Sequence, residues 1–170
     1  NSVLGARTER YGDFLDICCA VTGRAPYVGL HREEGRRASM ILDVTGLSLR
    51  LKVMDAFYPT LGAVLGAEAG TSVAVIEGLP ADISEDNLKA LGAAAASKGA
   101  VGLFHVAGRT PEAPGVAAVL SEQLRPEVIK ITAADIRAAR DKLSNTRAAH
   151  LNCLALGSPH FSECETRRLA

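Results

Sequence analysis

Residues 72–106 read SVAVIEGLPADISEDNLKALGAAAASKGAVGLFHV. Ser72 to Ile76 is a short apolar, β-branched run, as a buried strand requires. Ser84 to Lys98 is helical in pattern. Its acids Glu85 and Asp86 sit near the positive end of the helix dipole, and Gly99 follows as a stop. Val101 to Val106 is a second apolar strand. Strand, helix and strand in this order predict a βαβ unit and a parallel sheet. The run Ala93-Ala94-Ala95-Ala96 predicts a helix that packs closely on that sheet.

The same alternation extends outward. Ala113 to Leu120 reads as a helix and Val128 to Ile131 as a strand. Thr132, followed by Asp135, caps a further helix to Leu143, and His150 to Leu156 reads as a last strand. Upstream, Asp55 to Ala69 is a helix with Pro59 in its first turn and Gly70 after it. Met40 to Val53 holds two strand-like runs around Gly46, consistent with a hairpin. Pro26 to Leu30 reads as a short strand. Tyr11 to Val21 has helical spacing, and Asn1 to Thr8 is a polar loop. The fold class is therefore α/β, with flanking helices on a mostly parallel sheet. Near-continuous apolar strands imply burial on both sheet faces.

The 170 residues suffice for one domain with a core, and no repeat or low-complexity linker divides them. Hydrophobic residues make up 48%, but aromatics only 4%, so the core rests on Ala, Val, Leu and Ile. Nineteen basic residues balance 19 acidic ones. That balance removes any bulk electrostatic drive toward nucleic acid or an anionic membrane. No apolar run reaches the ~18–20 residues of a membrane helix, and no secretory signal pattern is present. These features imply a cytoplasmic protein whose cysteines Cys18, Cys19, Cys153 and Cys164 are not a disulfide framework. The opening Asn1-Ser2 and the closing Arg167-Arg168-Leu169-Ala170, inside an expected helix, read as cuts in a longer chain.

Chemistry-bearing groups collect at the ends of strands, where open α/β sheets bind ligands. After the last apolar run comes Gly157-Ser158-Pro159-His160-Phe161-Ser162. There Ser162 and Glu165 form a capping box for a helix, and Cys164 belongs to that helix as a structural thiol. Strand Val101 to Val106 contains His105 and leads to Thr110-Pro111-Glu112. Thr110 and Glu112 either cap the next helix or enter a cleft, and His105 is either a core histidine or a cleft residue. In Asn1-Ser2-Val3-Leu4-Gly5-Ala6-Arg7-Thr8, an Arg fork with neighbouring hydroxyls suits a carboxylate. Lys89 reads as a solvated helix residue within reach of a cleft. Cys18 and Cys19 on one helix and Cys153 on a distant strand could meet as iron–sulfur ligands. No P-loop, G-x-G-x-x-G or G-x-S-x-G pattern occurs, which removes support for nucleotide binding and acyl transfer.

Taken together and in order, several segments resemble the catalytic large domain of aconitase X. They are Asn1 to Thr8, Asp16 to Pro26 ending Thr22-Gly23-Arg24-Ala25-Pro26, Leu88 to Ala93, Val101 to Ala113, and Leu156 to Ser162. The resemblance covers nearly the whole chain. It implies an aconitase-like fold, with residues 1–170 a segment of the large domain. The remainder of that domain and a swivelling domain or subunit would lie outside the chain. It implies a hydro-lyase acting on a small hydroxy acid in the cleft between large and swivelling domains. One branch of the family dehydrates cis-3-hydroxy-L-proline to a pyrroline carboxylate and another dehydrates mevalonate 5-phosphate. Many members resemble Gly-Cys-Pro-His-Ala-Ser where this chain has Ser158 in place of the Cys, a form closer to the bacterial hydroxyproline branch.

On this reading Asn1, Ser2, Arg7, Thr8, Thr110 and Glu112 bind substrate, and Ser158, His160 and His105 are catalytic. Cys153 with one of Cys18 and Cys19 holds an iron–sulfur cluster, of 2Fe–2S type, or a mononuclear iron. The phosphate of the alternative substrate would need Arg32, Arg36 and Arg37. A non-catalytic α/β binding domain is the alternative from another class. Polar groups gathered at strand ends argue against it.

Overall fold

The computed structural model describes residues 1–12, 14–121, 125–144, 150, 152–156 and 160–169. Four parallel strands form one sheet: β1 (Met40–Asp43), β2 (Ala74–Glu77), β3 (Phe104–Val106) and β4 (Glu127–Lys130). Their order is β3-β2-β1-β4. Met40 lies opposite both Ala74 and Glu127, and Val75 lies opposite His105. The helices are α1 (Phe14–Thr22), α2 (Leu49–Lys52), α3 (Phe57–Ala69), α4 (Glu85–Gly99), α5 (Val116–Val119), α6 (Ala133–Leu143) and α7 (Glu163–Leu169).

The topology follows from which face each connection covers. From β1 to β3 the chain steps one way across the sheet. Leu42, Ile76, Phe104 and Val106 point to the face where Leu61, Leu65, Leu88, Leu91 and Ile136 of α3, α4 and α6 complete the main core. The chain then returns to β4 beside β1 by way of α5. A second cluster of Ala38, Val75, Leu103, Ala113 and Val119 fills the opposite face. Because side chains alternate along a strand, His105 faces this second layer while Phe104 and Val106 face the first. Burial on both faces holds for β2 and β3. Edge strand β4 is mostly exposed, with Val128 at 54%.

Local signals explain the helix starts. Ser84 Oγ accepts a hydrogen bond from Asn87 N at 3.1 Å. Thr132 and Asp135 form a reciprocal capping box at α6. Ser162 and Glu165 form another: Ser162 N donates to Glu165 Oε2 at 2.8 Å, and Glu165 N donates to Ser162 Oγ at 3.1 Å.

Several expectations are corrected. Pro26 to Leu30 is not a strand; its end forms a tight helical turn, Gly29–His31. The second half of Met40–Val53 is helix α2, not a hairpin strand. Its Leu-Arg-Leu-Lys alternation mimics a strand over a run too short to decide the period. The described residues of His150–Leu156 form no strand, and Leu154 and Leu156 are exposed. The sheet formed by the described residues has four strands, and this segment is not one of them. The alanine run makes its close approach to α3 rather than to the sheet. A Cβ on Gly62 would sit 2.9 Å from the Ala94 methyl and 2.2 Å from Leu91 O. Gly99 does not end α4. The left-handed terminal residue is Ala100 at φ 68°, and Gly99 lies within the helix. No helix among the described residues is long and apolar enough to cross a membrane.

Candidate active site

Segment 1–8 is tied to the amino end of β3 by its own side chains. Asn1 Nδ2 donates to Gly102 O at 2.9 Å, and Asn1 Oδ1 accepts from Thr8 N at 3.0 Å. Ser2 is buried, and its Oγ accepts from Phe104 N at 3.0 Å, at the start of β3. Thr8 Oγ1 lies 3.0 Å from Asp16 Oδ1. Tyr11 OH donates to the same oxygen at 2.9 Å and stacks on His31 with ring centroids 5.9 Å apart. Arg7 is half-exposed; it donates to His31 O at 3.2 Å and pairs with Glu33.

An ion pair lies beneath this segment. Arg36 is 2% exposed. Its Nε donates to Glu112 Oε2 at 2.8 Å and Oε1 at 3.0 Å, and Nη2 also meets Oε1. Nη1 donates to Leu30 O at 2.8 Å and Nη2 to Ala6 O at 3.3 Å. The guanidinium beside it holds the Glu112 carboxyl below the usual carboxylate range. Arg36 is therefore neutralised and is not a spare phosphate ligand. Arg32 pairs with Glu34, and Arg37 Nη1 donates to Ala118 O at 2.7 Å.

His105 is 1% exposed, with Nε2 2.8 Å from Arg36 O. A carbonyl only accepts, so Nε2 carries the proton and the ring is neutral in that tautomer. Burial pushes its pKa below the ordinary 6.5, partly opposed by the Arg36 carbonyl and Glu112. The unfolded chain then binds the proton first. His105 contributes stability that is complete above pH 6.5 and declines as pH falls below it. Glu112, with its own depressed pKa, loses its contribution below 4.5. Urea midpoints should fall between pH 7.5 and 5.5, and His105→Gln should flatten that slope. An unchanged slope in the variant would contradict the assignment.

Thr110 is buried and does not cap a helix. Its Oγ1 accepts from Val106 N at 2.9 Å and donates back to Val106 O at 3.2 Å, closing the turn after β3. Lys89 is not a freely solvated residue. Its Nζ lies 2.6 Å from Glu165 Oε2 and 2.9 Å from Asp86 Oδ1, and Ser162 Oγ donates to Asp86 Oδ2 at 2.7 Å. This network clasps α7 to the start of α4. His160 is exposed, and Ser158 lies outside the described residues.

Two hollows adjoin these groups. The larger, about 1000 Å³, lies under α7 and presents Asp55, Asp82, Asp86 and Glu165 against Lys52 and Arg168. That excess of acids does not suit an anionic substrate. The smaller, about 230 Å³, is lined by Arg7, Glu33, Arg36, Arg37 and Glu112 with Ala118 and Val119. Both signs of charge meet there in a volume fit for a small molecule. The sequence singled out Arg7 and Glu112 as binding groups. Glu33 carries no such signal and Arg37 only one for phosphate, because both are exposed and read as ordinary surface charges until Arg7 and Glu112 are brought beside them.

The cysteines are all free: Cys18, Cys153 and Cys164 are exposed and Cys19 is half-buried. Among the described residues, no three His, Cys, Asp or Glu side chains are gathered to hold a metal ion. The structure thus brings Asn1, Ser2, Arg7, Thr8, His105, Thr110 and Glu112 into one region, and among the described residues gathers no metal-binding set around the thiols.

Comparison with known proteins shows the family of the chain. A model of the aconitase X first domain matches residues 1–34, and one of the aconitase X second domain matches residues 38–141. A cis-3-hydroxy-L-proline dehydratase of Pseudomonas aeruginosa is 42% identical over 171 residues, spanning 100% of this chain and 29% of its own length. A phosphomevalonate dehydratase large subunit of Methanothermobacter thermautotrophicus is 41% identical over 172 residues, spanning 100% of this chain and 40% of its own. The crystal structure of Thermococcus kodakaraensis aconitase X in its holo-form superposes with a TM-score of 0.70 at 31% identity, covering 86% of this chain and 35% of that one. The chain thus spans well under half the length of these relatives. With both domain models matched in order along an α/β sheet that superposes on a solved member, the chain belongs to the aconitase X family.

Proposed function

We propose that residues 1–170 are a segment of the large catalytic domain of a cytoplasmic hydro-lyase, and that the whole enzyme converts cis-3-hydroxy-L-proline to 1-pyrroline-2-carboxylate. The observation that carries this reading is the small two-signed cavity at segment 1–8. A cyclic imino acid carries a carboxylate and a ring ammonium. Arg7 offers the donors for the first, and Glu33, paired with it at the cavity wall, offers a carboxylate for the second. The 42% identity to a dehydratase of that substrate points the same way.

Dehydration removes the α proton and the 3-hydroxyl as water. The enamine left behind tautomerises to the cyclic imine. Arg7 holds the carboxylate, which orients the Cα–H bond and the leaving hydroxyl for elimination, while the Thr8 hydroxyl is spent on Asp16. Asn1, Ser2 and Thr110 spend their hydrogen bonds on the backbone around β3 and so fix this segment instead of touching substrate. His105 is interior and orients Arg36. The exposed His160, together with Ser158, is the candidate for moving the proton. The swivelling domain, fused or as a separate subunit, closes the other side of the cleft.

The donor chemistry suits an iron–sulfur or iron centre. Three thiols carry no disulfide, although the described residues do not gather them. Cys153 and one of Cys18 and Cys19 would hold it as thiolates, because successive helix positions diverge by ~100°. When bound, such a centre supplies a Lewis acid for the departing hydroxyl. Cys153→Ser in the whole gene product, purified without oxygen, should lower bound iron by at least half. Unchanged iron content would remove Cys153 from the ligand set.

The mevalonate 5-phosphate reading needs a phosphate site, and the arginines available for one are engaged elsewhere. The activity itself is tested by following formation of the imine acid from cis-3-hydroxy-L-proline.

A further inference from the structure

We propose that Arg36 and Glu112 are positioning residues, holding segment 1–8 so that Arg7 faces the small cavity. This rests on the reading of segment 1–8 as the carboxylate grip. Neither residue is available to substrate in the way the sequence suggests. Four of the five guanidinium N–H groups of Arg36 are committed, to Glu112, Leu30 O and Ala6 O. A substrate carboxylate reaching Arg36 would have to displace Glu112 from a side chain only 2% exposed.

The device acts through main chain. Ala6, whose carbonyl Arg36 holds, precedes Arg7 directly. Leu30, held through its carbonyl, precedes His31, whose carbonyl in turn accepts from Arg7. Glu9 fastens the same turn by accepting from Leu30 N at 2.7 Å. One guanidinium thus fixes both the backbone before Arg7 and the turn on which the Arg7 side chain rests. Its own backbone is set by His105. The pair also joins two parts of the chain matched separately: Ala6 and Leu30 lie within residues 1–34, and Glu112 lies within 38–141. A geometry in which an ammonium replaced the planar fork could not make these three contacts together.

The test uses Glu112→Gln and Arg36→Lys in the iron-loaded whole gene product. Glu112→Gln keeps the side-chain volume and one acceptor oxygen, so the variant should fold. We expect KM for cis-3-hydroxy-L-proline to rise at least tenfold in each variant, with kcat changed by less than threefold. Amide exchange in residues 2–8 should accelerate at least tenfold more than in β1 and β2. If the wild type does not turn over the substrate but exchange in residues 2–8 accelerates selectively, the positioning role stands and the substrate reading fails. If the wild type is active and both KM and exchange are unchanged, the proposal is overturned. A collapse of kcat at constant KM would also overturn it, because Glu112 would then act at the reacting atoms. Uniform acceleration of exchange across the sheet would overturn it too, by reducing the pair to a general structural prop.

Discussion

Glu112→Ala is expected to lower the unfolding free energy by about 3–5 kcal/mol, the range for removing one partner of a buried ion pair. The cost comes less from the lost attraction than from what remains. The Arg36 guanidinium is 2% exposed and cannot turn to water without dragging the Ala6 and Leu30 carbonyls with it. The reverse truncation, Arg36→Ala, should cost less. Glu112 has a side chain 26% exposed, so water can hydrate the stranded carboxylate. Urea denaturation at pH 7.5, above the titration of both Glu112 and His105, measures the two. A smaller loss for Glu112→Ala than for Arg36→Ala would contradict this account of which charge is dehydrated.

Gly99→Ala should be nearly as costly, for a steric reason. A Cβ at Gly99 would lie 1.6 Å from Gly66 O and 2.3 Å from Gly66 C, so α3 and α4 would have to separate along their contact. Overpacking typically costs about 1–3 kcal/mol. A backbone atom cannot swing aside as a side chain does, so the expected loss lies at or above the top of that range. The next residue should respond in the opposite sense. Ala100 has φ 68°, a conformation that costs an L-residue about 1–2 kcal/mol, and Ala100→Gly should recover part of it. Thermal midpoints of both variants test the pair. A neutral Gly99→Ala would mean that the helices do not approach as closely as described.

This contrast shows what sequence could and could not reveal. A Gly at the end of a helical pattern reads as a stop. Here Gly99 serves the neighbouring helix, and an alanine takes the left-handed position. Helix starts were legible because capping is local: Ser84, Thr132 and Ser162 each act within three residues. The parallel sheet was legible from its alternation with helices. The short α2 was not, because four residues of alternating polarity fit either period. The site was legible in its parts and not in its wiring. Arg7 stood out for the hydroxyls beside it, and Glu112 for its place just after a strand end. Glu112 reaches Arg36 across 76 positions, a pairing that exists only once β1 and β3 lie in one sheet. That pairing turns an apparent anion-binding patch into a buried strut, and separate contacts with β3 turn Thr110 and Ser2 from candidate ligands into backbone partners.

Turnover of the two candidate substrates, side by side, tests the central claim most directly. The whole gene product, purified without oxygen and shown to carry iron, is given cis-3-hydroxy-L-proline and mevalonate 5-phosphate in parallel. The account predicts formation of 1-pyrroline-2-carboxylate from the first and a kcat/KM at least a hundredfold lower for the second. Iron-loaded protein that leaves hydroxyproline untouched, or that prefers the phosphorylated acid, would contradict it.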